Sequence, residues 1–275
     1  MKVRDKVIVV TGAGSGMGRE VALELLRRGA RVAAVDVRPE GLEGTAALVD
    51  VGEGLSTHVL DITDRVAIGA LPDVVIAAHG TVDGLINNAG IIQPFVNVED
   101  LDFATIERVL DINLMGTLNM VKAFLPYLRR RPEAHLANVS SMGGFLPVPG
   151  QSIYGASKAA VKLLTEGLYA ELLDTDVSVS VIMPGAVATS ISENSGVSIL
   201  GMDEAAASTT RTTSAPDAAR IILDGIEADK LHIFVGRDAR LMNIASRVAP
   251  RRATHLIQKK MKNIMPGATE TAAGS

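Results

Sequence analysis

The fold turns on KVIVV (Lys6–Val10) running straight into TGAGSGMG (Thr11–Gly18), with a helical pattern from about residue 17 to 28 behind it. The β-branched run predicts a buried strand, the glycines a tight turn, and the periodic stretch a helix. Strand, glycine turn and helix start create an anion site, because unpaired backbone N–H groups and the positive helix end point at one spot. Gly12, Gly16 and Gly18 let the backbone approach a pyrophosphate with no Cβ in the way. The spacing is T-G-x-x-x-G-x-G, not G-x-G-x-x-G, and three glycines at fixed spacing arise by chance in roughly one such chain in five. Context raises their weight: a second strand, ARVAAVD, closes on Asp36, 18 residues after Gly18. A carboxylate there accepts hydrogen bonds from adenosine ribose hydroxyls and repels a 2′-phosphate. Asp36 also suits a cap or turn, which does not exclude that role. Ser15 and Val37 offer no charge favouring a 2′-phosphate, and Arg38 is the one cation nearby. The expected cofactor is NAD(H), preferred over NADP(H).

Outward from this unit, short apolar runs alternate with helical patterns. Strands are predicted at Lys6–Val10, Ala30–Val35, Thr57–Leu60, Gly84–Asn87, Leu136–Ser140, Val177–Met183 and His232–Val235. Helices are predicted at about 17–28, 39–50, 64–79, 102–129, 152–173 and 215–228, with Pro72 kinking the third or marking its start. Apolar runs without strict alternation mean strands covered on both faces, hence an α/β fold with a doubly wound, Rossmann-type parallel sheet. Residues 1–236 are expected to form the dinucleotide-binding and catalytic domain, with 186–213 as a lid or substrate loop. Residues 237–275 are expected to be a helical extension and tail. Within it, 237–262 carry eight Arg or Lys and one Asp, net +7, leaving about −11 for the rest of a chain whose total is −4. Leu241, Ile244, Val248, Ile257, Met261, Ile264 and Met265 recur there at helical spacing around Pro250.

Composition excludes several classes. Zero cysteines remove disulfides, thiolate-bound zinc and a cysteine nucleophile. A net charge of −4 and 3% aromatic content argue against a nucleic-acid partner. The five histidines (58, 79, 135, 232 and 255) show no metal spacing, so no metal is expected. No run of 18 apolar residues appears, and the first strand begins too early for a secretory leader, so a cytoplasmic location is expected.

Tyr154 and Lys158 form Y-x-x-x-K at the start of an amphipathic pattern, which places them on one helix face. A phenol near pKa 10 is a poor base, and a neighbouring cation favours its ionised form. Ser141 lies 13 residues upstream, and the three together arise by chance in fewer than roughly one chain in a hundred. With these residues in place, residues 4–236 resemble the short-chain dehydrogenase/reductase family. TGAGSGMG resembles its cofactor turn, including Ser15 and Met17. Asp61 with Ile62 resembles the pair that binds adenine, and Asn88, Ala89 and Gly90 fall in an NNAG motif. Asn113 in NLMG matches the active-site Asn of a tetrad completed by Ser141, Tyr154 and Lys158. Pro184, Gly185 and Thr189, with the Val187 backbone, match the segment that holds the nicotinamide. Asp61 and Thr189 also suit caps, and Asn113 an ordinary buried polar position.

The resemblance implies that Tyr154 exchanges a proton with the substrate oxygen while hydride passes to or from the nicotinamide. Ser141 then steadies that oxygen, Lys158 lowers the Tyr154 pKa and holds the ribose, and Asn113 positions a relay water. No charged residue lies between 139 and 157, so the expected small-molecule substrate is a neutral, apolar secondary alcohol or ketone. The alternative is a catalytically idle dinucleotide-binding sensor or scaffold. A homotetramer or homodimer is expected through 102–129 and 152–173. The basic extension is expected to pack on its own or a neighbouring subunit, with contact to anionic lipid or an anionic substrate as the sharper alternative.

Overall fold

The computed structural model describes residues 1–49, 54–189, 191–197 and 212–261. Seven strands form one parallel sheet in the order β3-β2-β1-β4-β5-β6-β7. They are β1 (Val7–Thr11), β2 (Arg31–Asp36), β3 (Leu55–Val59), β4 (Gly84–Asn87), β5 (Ala134–Val139), β6 (Val177–Pro184) and β7 (His232–Val235). This is the doubly wound sheet the alternating pattern predicts. Successive residues of a strand point to opposite faces. Val7 and Val9 therefore join one apolar cluster with Ile68, Phe124 and Leu168. Ile8 and Val10 join the other, with Val21, Leu25, Ile222 and Ile226. Both faces are covered, which is why the strand sequences do not alternate.

The helices before the extension are α1 (Gly16–Arg27), α2 (Pro39–Ala46), α3 (Arg65–His79), α4 (Phe103–Leu110), α5 (Thr117–Leu128), α6 (Ser152–Glu171), α7 (Ile191–Ser195) and α8 (Ala215–Glu227). Two more, α9 (Arg237–Val248) and α10 (Pro250–Met261), form the extension. Pro72 sits inside α3 without dividing it: Asp64 Oδ1 accepts from the Val66 and Ala67 N–H groups at the start, and left-handed Gly80 ends it. The predicted helix over 102–129 is interrupted. A π-helical turn, Asp111–Gly116, separates α4 from α5. No described helix is long and apolar enough to cross a membrane. Most of the expected lid (198–211), Ile264 and Met265 lie outside the described residues.

Candidate active site

A cavity of about 460 Å³ opens beside β1, which pairs with β2 on one side and β4 on the other. Crevices form where strand order reverses in this way, because the flanking connections leave to opposite faces. Gly12 and Gly16 have φ of +68° and +51°, conformations open to glycine. A Cβ on Gly18 would strike the Gly12 carbonyl oxygen, and one on Gly14 would lie 2.8 Å from Asp36 Oδ2. The turn is thus stripped of side chains where a pyrophosphate cradle needs it. Thr11 ties it to the loop after β4: its hydroxyl accepts from the Asn88 and Ala89 N–H groups, both at 3.0 Å.

Asp36 closes β2 and faces the cavity, 7% exposed. Its Oδ2 accepts from Gly14 N–H at 2.9 Å and its Oδ1 from Arg38 N–H at 3.0 Å. The Arg38 guanidinium also lines the cavity, donating to Asn194 Oδ1 at 2.6 Å and Ser15 Oγ at 2.9 Å, with Nε 3.7 Å from Asp36. Both signs of charge therefore meet where a ribose or 2′-phosphate would be recognised. Asp61 folds back on Thr63, whose N–H and hydroxyl it accepts at 2.8 Å, and lines the cavity beside Ile62.

At the inner end, β5 delivers Ser141 and α6 delivers Tyr154 and Lys158, all three lining the cavity. Ser141 Oγ accepts from Gly143 N–H at 3.0 Å, and a Cβ on Gly143 would lie 3.5 Å from that oxygen and 3.3 Å from Tyr154 Cε1, so hydroxyl and phenol ring flank one point. Burial holds that phenol above the ordinary phenol range, with the nearby Ser141 hydroxyl pulling the other way. This differs from the lowering expected from Lys158. The ammonium is itself stripped of water, 3% exposed, its pKa falling from 10.5 to about 8, and its Nζ donates to the Val139 carbonyl at 3.0 Å. Neighbouring Ser140 is turned away, donating to the Lys158 carbonyl at 2.7 Å.

Asn113 lies in the π turn behind the cavity, wholly buried. Its amide is fully engaged: Oδ1 accepts from Ile91 N–H, and Nδ2 donates to the Ile91 carbonyl and Ser157 Oγ. Its carbonyl accepts the Thr117 hydroxyl at 2.8 Å. The Asn113 side chain thereby fixes the loop after β4. A Cβ on Gly90 would lie 3.0 Å from both Asn113 Oδ1 and Lys158 Nζ, so these atoms flank one point.

Every other expected cofactor residue except Gly18 lines the cavity, including Met17, Asn88, Ala89, Pro184, Gly185, Val187 and Thr189. The two ends of the expected lid are pinned together, Ala188 N–H to the Thr213 carbonyl and Thr213 N–H to the Ala186 carbonyl. Three residues went unread in the sequence. Arg108 and Asn194 line the cavity. Gln93, wholly buried, accepts Tyr154 N–H at 2.8 Å and donates to the Gly150 carbonyl at 3.0 Å, fixing the start of α6.

A family model for short chain dehydrogenases matches residues 6–198. The chain belongs to the short-chain dehydrogenase family. SadH of Mycobacterium tuberculosis, an oxidoreductase by its name, is 35% identical over 271 residues, covering 96% of this chain and 98% of SadH. The 3-oxoacyl-[acyl-carrier-protein] reductase FabG of Thermotoga maritima is 34% identical over 199 residues, 70% of this chain and 78% of FabG. A short-chain dehydrogenase of Burkholderia phymatum in complex with NAD aligns with TM-score 0.80 at 27% identity, covering 90% and 96% of the two chains. Another from Burkholderia cenocepacia, in complex with NADP, aligns with TM-score 0.78 at 26% identity, covering 94% and 99%. This short-chain dehydrogenase is thus an oxidoreductase by family, and its structural neighbours carry either dinucleotide.

Proposed function

We propose that the protein interconverts a secondary alcohol and a ketone, using NAD(H), with Tyr154 as general acid or base. The observation that carries this is Ser141, Tyr154 and buried Lys158 lining one end of a cleft whose other end is the glycine turn. The nicotinamide, when bound, supplies or accepts the hydride. Gly12, Gly16 and Gly18 would hold the pyrophosphate, Asp36 the ribose hydroxyls, Asp61 and Ile62 the adenine, and Pro184, Gly185, Val187 and Thr189 the carboxamide. Ser141 steadies the substrate oxygen as charge develops. Tyr154 gives that oxygen a proton in reduction and takes one in oxidation. The neutral phenol, favoured by burial, is the donating form, and the Lys158 cation favours the phenolate left behind. Asn113 acts as a positioning residue.

NAD(H) over NADP(H) is supported by the buried Asp36 carboxylate, with Arg38 already engaged by Ser15 and Asn194. A neutral, apolar substrate is supported by the absence of any charged residue between 139 and 157, the stretch that carries Ser141 and Tyr154. Subunit contact through α4 and α6 is supported by exposed Phe103 of α4, Leu163 of α6 and Leu173 just past its end.

The test is turnover of a panel of secondary alcohols and ketones with both dinucleotides, for the parent and Tyr154→Phe. The variant should lose at least ~100-fold in kcat, within the usual contribution of a general acid or base, while dinucleotide affinity stays within a few-fold. Retained turnover would remove Tyr154 from proton transfer. No turnover by the parent on any member would favour the idle sensor. Higher kcat/KM with NADP would overturn the cofactor preference.

A further inference from the structure

Among the described residues, α9 and α10 pack through one face. Met242 and Ala245 of α9, with Ala253, Ile257 and Met261 of α10, join Leu146 and its neighbours in a small apolar cluster. Elsewhere on α9, Leu241, Ile244 and Val248 recur at three- and four-residue spacing, forming one stripe. They are 64%, 55% and 79% exposed. Arg237, Arg240 and Arg247 stand about one turn from these side chains, and Arg251, Arg252 and Lys259 follow on α10. All six cations are exposed, and no ion pair among the described residues involves them. The one acid of the pair, Asp238, turns inward and accepts Ala186 N–H at 2.9 Å.

An apolar stripe edged by unpaired cations, on a helix too short and too polar to cross a bilayer, suits a headgroup plane. The core does not need the stripe, because α9 is already seated through Met242 and Ala245. A second copy meeting it stripe to stripe would set arginines against arginines, and like charges brought together are unfavourable. The remainder of the chain, at about −11, is repelled by an anionic surface, so attraction is confined to this face. We infer that α9 and α10 form a docking surface for an anionic lipid bilayer. The stripe enters the acyl boundary while the guanidinium groups meet headgroup phosphates and carboxylates.

Co-sedimentation of the full-length protein with vesicles tests this. Binding is expected to vesicles containing phosphatidylserine and not to phosphatidylcholine alone. It should fall at least tenfold from about 0.01 M to about 0.15 M salt, as the screening length shrinks from about 30 Å to about 8 Å. The triple variant Leu241→Ser, Ile244→Ser, Val248→Ser should bind at least tenfold more weakly, as should Arg240→Glu with Arg247→Glu. Arg240→Lys with Arg247→Lys should restore binding. Unchanged circular dichroism and melting temperature establish that the variants are folded. No binding by the parent to phosphatidylserine vesicles, or equal binding by every variant, would overturn the inference. So would a triple variant that sediments as a smaller species yet binds vesicles like the parent, since the stripe would then be a subunit contact.

Discussion

Lys158 is a cation kept where a cation is unfavourable. It is 3% exposed, with the Val139 carbonyl as its partner, and burial brings its pKa from 10.5 to about 8. The difference corresponds to roughly 3 kcal/mol at about 1.4 kcal/mol per pH unit, an order-of-magnitude figure. Below pH 8 both folded and unfolded chains hold the proton, so the folded chain bears the whole penalty. Between about 8 and 10.5 the unfolded chain binds more protons than the folded one, and the contribution of this group to stability rises with pH. Lys158→Met, similar in length and apolar, should therefore be more stable than the parent at pH 7, by up to roughly 3 kcal/mol. The advantage should shrink through pH 8–10. Urea unfolding at a series of pH values measures this directly. A variant less stable than the parent at pH 7 would mean that the Val139 bond outweighs the burial penalty. Such stability set aside at a reactive position is the usual signature of function placed ahead of packing.

The short helix α7 shows the same trade at the scale of an element. Asn194 accepts from Arg38 and donates to Ser15 Oγ at 2.9 Å, and Ser195 Oγ accepts Ile92 N–H at 3.0 Å. Five residues thus bridge the glycine turn, the end of β2 and the loop after β4, across the mouth of the dinucleotide cleft. Asn194→Ala removes two of these bonds, each with a net contribution of about 0.5–1.5 kcal/mol. Dinucleotide dissociation, followed by stopped-flow fluorescence, should accelerate about 5- to 10-fold, with single-turnover chemistry unchanged. An unchanged dissociation rate would mean that the bridge does not restrain the cleft. Asn194 carried no sequence signal because its partners lie 156 and 179 residues away in the chain. Gln93 was hidden for the same reason, bonded 57 and 61 residues downstream. The glycine turn, by contrast, was legible because strand, turn and helix are contiguous. β4 and β7 were read with their observed bounds, since turn residues flank both. The π turn was invisible because the Asn113–Ile91 pair that ties it to the loop after β4 is 22 residues apart in the chain.

Across the whole molecule, apolar burial is unevenly shared. The sheet separates two large clusters, whereas among the described residues only Leu146, Ala253 and Ile257 are buried in the cluster beneath the extension. Each fully buried Leu or Ile contributes about 1.5–3 kcal/mol, so α9 and α10 are held by a small fraction of what holds β1 and β4–β6. Cooperative units with few buried apolar contacts open before the global transition. The amides of Arg237–Met261 should therefore exchange with solvent deuterium well before those of β5, and Ile257→Ala should hasten them about tenfold or more while leaving β5 unaffected. Mass-resolved hydrogen exchange on the full chain reads both. Equal protection in α10 and β5 would mean that the extension melts only with the sheet. If opening is local, anything that binds the docked form must slow it by mass action, so phosphatidylserine vesicles should protect α9 and α10 selectively. That protection should vanish in the Arg240→Glu, Arg247→Glu variant, because the attraction comes from the guanidinium groups and the packing against Leu146 is untouched.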